Sequence, residues 1–103
     1  MATDDNQIII VTDNPAENRF EANVDGHLAV AVYARRGPRI IFTHTEVPPE
    51  LRGRGIATAL AKTALDQARS EGLQVVARCA LIADFIEKHP EYQSLLYQPT
   101  SQT

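Results

Sequence analysis

The chain has 103 residues, 44% apolar and 22% charged, with a formal net charge of −3. This fits one compact domain and argues against a nucleic-acid binder, whose footprint is strongly basic. No apolar run nears the roughly 20 residues of a membrane span, the acidic start at Asp4 and Asp5 is unlike a signal peptide, and a single cysteine forms no internal disulfide, so the expected location is cytoplasmic.

Residues 1–7 are polar, and a flexible terminus is expected there. Ile8 to Val11 is a β-branched run, read as the first strand, and Asp13-Asn14-Pro15 as the turn after it. Arg19 to Val24 alternates, with Phe20, Ala22 and Val24 on one face. Asp25-Gly26 is a two-residue hairpin signal. It sets Val24 opposite His27, so Ala29, Ala31 and Tyr33 share the face of Phe20 while Leu28, Val30 and Val32 project to the other. Either both faces of this sheet are covered near the third strand, or the turn is longer than two residues. Gly37-Pro38 separates the strand at His27 to Arg35 from the next, Arg39 to Val47. Five of the ten Lys and Arg residues (Arg35, Arg36, Arg39, Arg52, Arg54) fall between positions 35 and 54, against Glu46 and Glu50. They are either two solvated turns or one positive field for a phosphorylated coenzyme.

Residues 55–71 carry a helical stripe of Ala57, Leu60, Ala61, Ala64, Leu65 and Ala68, with Gly72 as a left-handed stop and Leu73 packing back. Leu73 to Cys79 reads as a buried strand and Leu81 to Lys88 as a short helix that Pro90 ends. Tyr92 to Tyr97 adds a final turn, and residues 98–103 form the second flexible terminus. Residues 8–97 thus make a single domain of order β-β-β-β-α-β-α, an α+β sheet with mostly antiparallel strands.

The link between the fourth strand and the long helix, Val47 to Thr58, carries the chemistry. A helix beginning on Arg52-Gly53-Arg54-Gly55 has first N–H groups without intrahelical partners and the positive end of its dipole beside two guanidinium groups. Such an end binds phosphate. Glycine permits φ > 0 and a close oxygen approach. The spacing fits neither a P-loop nor a dinucleotide fingerprint, since Gly-Lys-Ser/Thr is missing and Thr58 stands three residues after Gly55.

What remains, Arg52-x-x-Gly55-x-Ala57 after a strand ending Val47-Pro48, resembles the acyl-CoA diphosphate motif of the GNAT superfamily of N-acetyltransferases. Phe42-Thr43-His44-Thr45-Glu46-Val47 before it, Cys79 after the next strand and His89-Pro90-Glu91-Tyr92 near the end resemble the family's small, roughly hundred-residue branch. The resemblance spans about Pro15 to Leu96. It implies a minimal GNAT-like fold, a sheet splayed at the cofactor site with helices on both faces, and acetyl-CoA as cofactor. It implies that Arg52, Gly53, Arg54, Gly55, Ile56, Ala57 and Thr58 hold the diphosphate, and that backbone at Glu46 and Val47 meets the pantetheine arm.

Cys79 ends the strand beyond that gap, where a thiolate would accept the acetyl group, or where a small apolar residue would simply be buried. For direct attack by an amine, Glu46 and His44 share one side of their strand and form a candidate base pair. The family's usual tyrosine acid is missing, because the matching stretch reads Asp84-Phe85-Ile86. Tyr92 is either its substitute or a packing residue, and His89 either caps its helix or touches the coenzyme. The three histidines lack paired metal-ligand spacing, so no metal is expected. The leading reading is transfer of acetyl from acetyl-CoA to an amine, on an open acceptor surface suited to a protein lysine or an N-terminal amine. A non-catalytic acyl-CoA sensor and a cofactor-free interaction module stand as alternatives.

Overall fold

The computed structural model describes residues 8–98; the termini expected to be flexible lie, but for Gln98, outside it. Five strands form one sheet in sequence order: β1 (Thr12–Asn14), β2 (Arg19–Val24), β3 (His27–Arg36), β4 (Arg39–Glu46) and β5 (Gln74–Ala77). Every pairing is antiparallel except β4 with β5, which run parallel across the helix α1 (Ile56–Ser70). After β5 come α2 (Ala80–Lys88) and a 3-10 turn, Pro90–Leu95. Leu96 then bridges to Val75 in parallel.

The first strand is not Ile8 to Val11. Pairing begins at Thr12, opposite Glu21, and ends at Asn14, opposite Arg19. Hydrogen bonding within the turn (Glu17 N–H to Asn14 O, Asn18 N–H to Pro15 O) sets this register. Asp13 locks it by accepting from the Tyr33 hydroxyl at 2.6 Å and from Gln67 of α1 at 2.9 Å. Ile8 and Ile10 are exposed, while Ile9 and Val11 pack against the core without joining the ladder. β-branching marked extended backbone there, but a strand also needs a partner.

The hairpin forms as its turn dictates. Val24 pairs with His27, and Asp25 and Gly26 both take positive φ, 53° and 79°, as a two-residue turn of this kind requires. Phe20, Ala22, Val24, Ala29, Ala31 and Tyr33 are all buried. They join Ile40, Phe42 and Val75 and Leu60, Ala61, Ala64, Leu65 and Ala68 of α1 in one cluster, to which Ile82, Phe85 and Ile86 of α2 also belong; the stripe opens on Ile56, buried, and not on Ala57, which is half-buried. The expectation of helices on both faces is corrected here: α1 and α2 contact each other and share one core on one face. The other face, with Val30, Val32, Ala34 and Ile41, stays half-buried and Leu28 is exposed. Both helices pack on the face that carries Phe20, Tyr33 and Phe42.

Two local features position the site. β3 and β4 lose register between Val32 and Tyr33: Val32 pairs with His44 but Tyr33 pairs with Phe42, leaving Thr43 as a β-bulge. The parallel ladder then stops at Phe42 with Ala77, and the Phe42 carbonyl accepts from both Arg78 and Cys79 N–H, each at 3.0 Å. Beyond Phe42, β4 and β5 part. At its far end α1 closes as read, with Gly72 at φ 70° and Leu73 N–H bonded to Ala68 O at 2.9 Å.

Candidate functional site at the amino end of α1

Gly55 caps α1 in the left-handed region, φ 78°, with no side-chain cap. Gly53 has the same φ of 78°, and no protein atom lies within 4 Å of where either would carry a Cβ. The first helix bond runs from Ala59 N–H to Gly55 O. Among the described residues no hydrogen bond engages the N–H groups of Gly53, Arg54, Gly55, Ile56, Ala57 or Thr58. Six adjacent free donors at a helix amino end form an anion socket. They open into a concavity of about 370 Å³ walled by Val47, Leu51, Arg52, Ile56, Ala57, Thr58 and Leu81. A second hollow of about 260 Å³ shares Ala57, Thr58 and Leu81 and continues to Phe85, Lys88 and His89. An anionic headgroup with an extended apolar arm fits this donor set.

Of the nine residues expected to bind coenzyme, Val47, Arg52, Gly53, Gly55, Ile56, Ala57 and Thr58 come together around this concavity. Arg54 and Glu46 are not on its wall. Arg54 turns to the hairpin tip and pairs with Asp25 at 3.0 Å, while Glu50 lies 3.8 Å from His27. These contacts pin the glycine loop to the β2–β3 turn. The Arg35–Arg39 turn does not add its charge here, because Arg36 pairs with Arg39 at the opposite end of the sheet and Arg35 meets Glu71 beyond the end of α1.

The bulge at Thr43 decides which side chains face the gap. It moves Thr45 onto the side of Ala31 and the core, and His44 and Glu46 onto the side of Val32 and Val30. His44 Nε2 and Glu46 Oε1 do come together, at 3.6 Å, but as an exposed pair on the open face. Cys79, 8% exposed, stands just before α2 with its Sγ 3.1 Å from Thr45 Oγ1. Cys79 and the His44–Glu46 pair thus flank opposite faces of the strand gap. Thr45 was missed from the sequence, as were Leu51 and Leu81 on the wall. Thr-His-Thr-Glu alternates identically with or without a bulge, so nothing in it signalled the swap.

Tyr92 and His89 are both held by neighbours in α1 and α2. Tyr92 is buried and donates to Asp66 at 2.7 Å; burial and that carboxylate raise its pKa above the usual phenol value. It is no free acid. Burial also pushes the Asp66 carboxyl up, but hydrogen bonds from Lys62 and Tyr92 outweigh this and hold it below the usual range. His89 bonds through Nδ1 to the Phe85 carbonyl at 2.8 Å and stacks on the Phe85 ring. It caps α2 and also lines the second hollow. No group of three or more potential metal ligands occurs among the described residues.

Comparison with known proteins agrees with this fold. Residues 19–95 match the GCN5-related N-acetyltransferase family. The chain is 46% identical over 68 residues to Protein NATD1 of Bos taurus, covering 65% of this chain and 60% of that protein. With Protein NATD1 of Xenopus tropicalis the identity is 34% over 95 residues, covering 89% and 87%. The mammalian and avian relatives thus extend beyond the matched region, and this chain spans about three-fifths of their length. The solution NMR structure of a GCN5-like protein from Staphylococcus aureus superposes with a TM-score of 0.68 at 28% identity, over 88% of this chain and 90% of that one. This chain belongs to the GCN5-related N-acetyltransferase family.

Proposed function

We propose that the chain transfers acetyl from acetyl-CoA to an amine of a protein or peptide. One observation carries this reading: the run of free backbone N–H groups from Gly53 to Thr58 beside Arg52. A diphosphate supplies the acceptors these donors lack, and the two glycines leave its approach open. Past Phe42, β4 has no β5 partner, so its edge offers backbone groups to an amide-bearing arm as a missing strand would.

Bound acetyl-CoA would supply a thioester, whose C–S bond breaks as the acetyl carbon bonds to its acceptor, the amine nitrogen or Cys79 Sγ. The chain's own groups then manage protons and position. On the direct route, the exposed His44–Glu46 pair takes the amine proton and the coenzyme leaves as a thiolate that water protonates. On the thiol route, Cys79 Sγ takes the acetyl group and its proton leaves with the coenzyme sulfur. The amine then takes the acetyl group and returns a proton to Sγ. Thr45 holds the sulfur in place for this through the 3.1 Å contact.

The sensor reading is favoured by one fact: Tyr33 and Tyr92 both spend their hydroxyls on aspartates, and Tyr97 lies against Arg39. Neither hydroxyl is free to protonate a leaving thiolate, and Tyr97 lies with Arg39 at the end of the sheet away from the glycine loop. Release of free thiol from acetyl-CoA, measured over a panel of peptide amines, separates the two. Amine-dependent release supports transfer; coenzyme binding with no release above the amine-free rate leaves the sensor.

A further inference from the structure

The uncovered face of the sheet carries a third concavity, of about 650 Å³, lined by Ala34, Arg36, Pro38, Arg39, Ile41, Thr43 and Arg78. No acidic residue lines it. Arg19, Arg35 and Arg54 are paired with carboxylates, whereas Arg36, Arg39 and Arg78 pair with none among the described residues. Arg39 lies over the Tyr97 ring, 4.0 Å from its centroid, and its Nε is buried without a hydrogen-bond partner. Three guanidinium groups around one groove, one with an orphaned donor, are poised for carboxylate or phosphate oxygens.

Position gives this groove a role. Thr43 and Arg78 stand where β4 and β5 part, and Arg78 precedes Cys79. The groove lies on the face opposite the coenzyme concavity, whose walls Leu51 and Ile56 belong to the core. The exposed His44–Glu46 pair continues along the same face. From Ile41 to His44 is three residues, about 10 Å of strand. Resting on the acetyltransferase reading above, we propose that the Arg36–Arg39–Arg78 groove selects an acidic peptide as acceptor, its amine at the strand gap and a carboxylate about three residues away in the groove. The separation matches an extended peptide and exceeds the span of a single amino acid.

The test pairs a lysine peptide carrying two glutamates three residues from the lysine with its glutamine counterpart, on wild type, Arg36→Gln and Arg78→Gln. Both arginines are exposed, so the variants fold, which circular dichroism checks. Thiol release should fall about tenfold in kcat/KM from the Glu to the Gln peptide, as for loss of a charge-assisted hydrogen bond. Each variant should lose a similar factor on the Glu peptide only. Equal rates on both peptides, or equal losses on both, overturn the groove while leaving the transferase reading intact. If neither peptide is acetylated, fluorescence anisotropy without acetyl-CoA decides. Arginine-dependent binding of the Glu peptide supports the groove and removes the transferase reading, and no binding overturns the groove. Inorganic phosphate displacing the Glu peptide at equal concentration also overturns it, in favour of a small-anion site.

Discussion

The proposed chemistry turns on a few atoms at the strand gap. Cys79 Sγ and Thr45 Oγ1, 3.1 Å apart, lie on one side, and His44 with Glu46 on the other. The two routes predict different products on the protein. If Cys79 carries the acetyl group, intact mass after incubation with acetyl-CoA rises by one acetyl in wild type and not in Cys79→Ala; a gain that persists in the variant exonerates the thiol. If the exposed pair serves as base, Glu46→Gln lowers turnover by about 10²-fold or more, the ordinary worth of general-base catalysis, with acetyl-CoA binding unchanged by calorimetry. Tyr33 offers a check on the fold at the same scale. Burial first, and then its hydrogen bond to Asp13, raise its pKa from 10.0 to about 12. The folded state holds that proton more tightly than the unfolded chain, so the stabilisation is complete below pH 10 and disappears as pH rises through 12. Tyr33→Phe should flatten the fall in melting temperature across that window. Residue types were legible from the sequence at this scale. Orientation was not, because the register slip at Thr43 exchanges faces without changing the alternating pattern.

Among the elements, the glycine loop and α1 are where local sequence and site coincide most closely. Gly55 sits at φ 78° with open space where a side chain would project. Gly55→Ala therefore meets no protein atom but incurs left-handed strain of about 1–2 kcal/mol, measurable by urea unfolding. It also places a methyl in the path of a phosphate oxygen, so the variant's coenzyme affinity should fall beyond its loss of stability. The helix bounds, to within a residue, its Gly72 stop and its apolar stripe from Leu60 onward could be read directly, since each depends on neighbours a few residues away, though the stripe opens on Ile56 and not on Ala57. The Arg54–Asp25 pair could not, because it joins positions twenty-nine residues apart. Ile8 to Val11 misled for a related reason: propensity describes the residue, while pairing depends on the Asp13 latch to Tyr33 and Gln67.

For the molecule as a whole, one core on one face of the sheet supports the free-amide socket on that face, where coenzyme is proposed to bind, and leaves the other open. Phe42 lies at the hinge between these roles, fully buried, with its carbonyl ending the parallel ladder. Phe42→Ala should cost about 3–5 kcal/mol by cavity formation. The order of elements and the α+β class were legible because hairpin, helix and crossover each announce themselves locally. The bare face was not, since Val30, Val32 and Ile41 are as apolar as covered residues would be. The most direct test of the whole account is an amide NMR titration of the folded chain with coenzyme A. Shifts should concentrate at Gly53 to Thr58 and Val47 and saturate. An unperturbed loop at saturating coenzyme, or shifts confined to other elements, would contradict the assignment of this helix end as the coenzyme site.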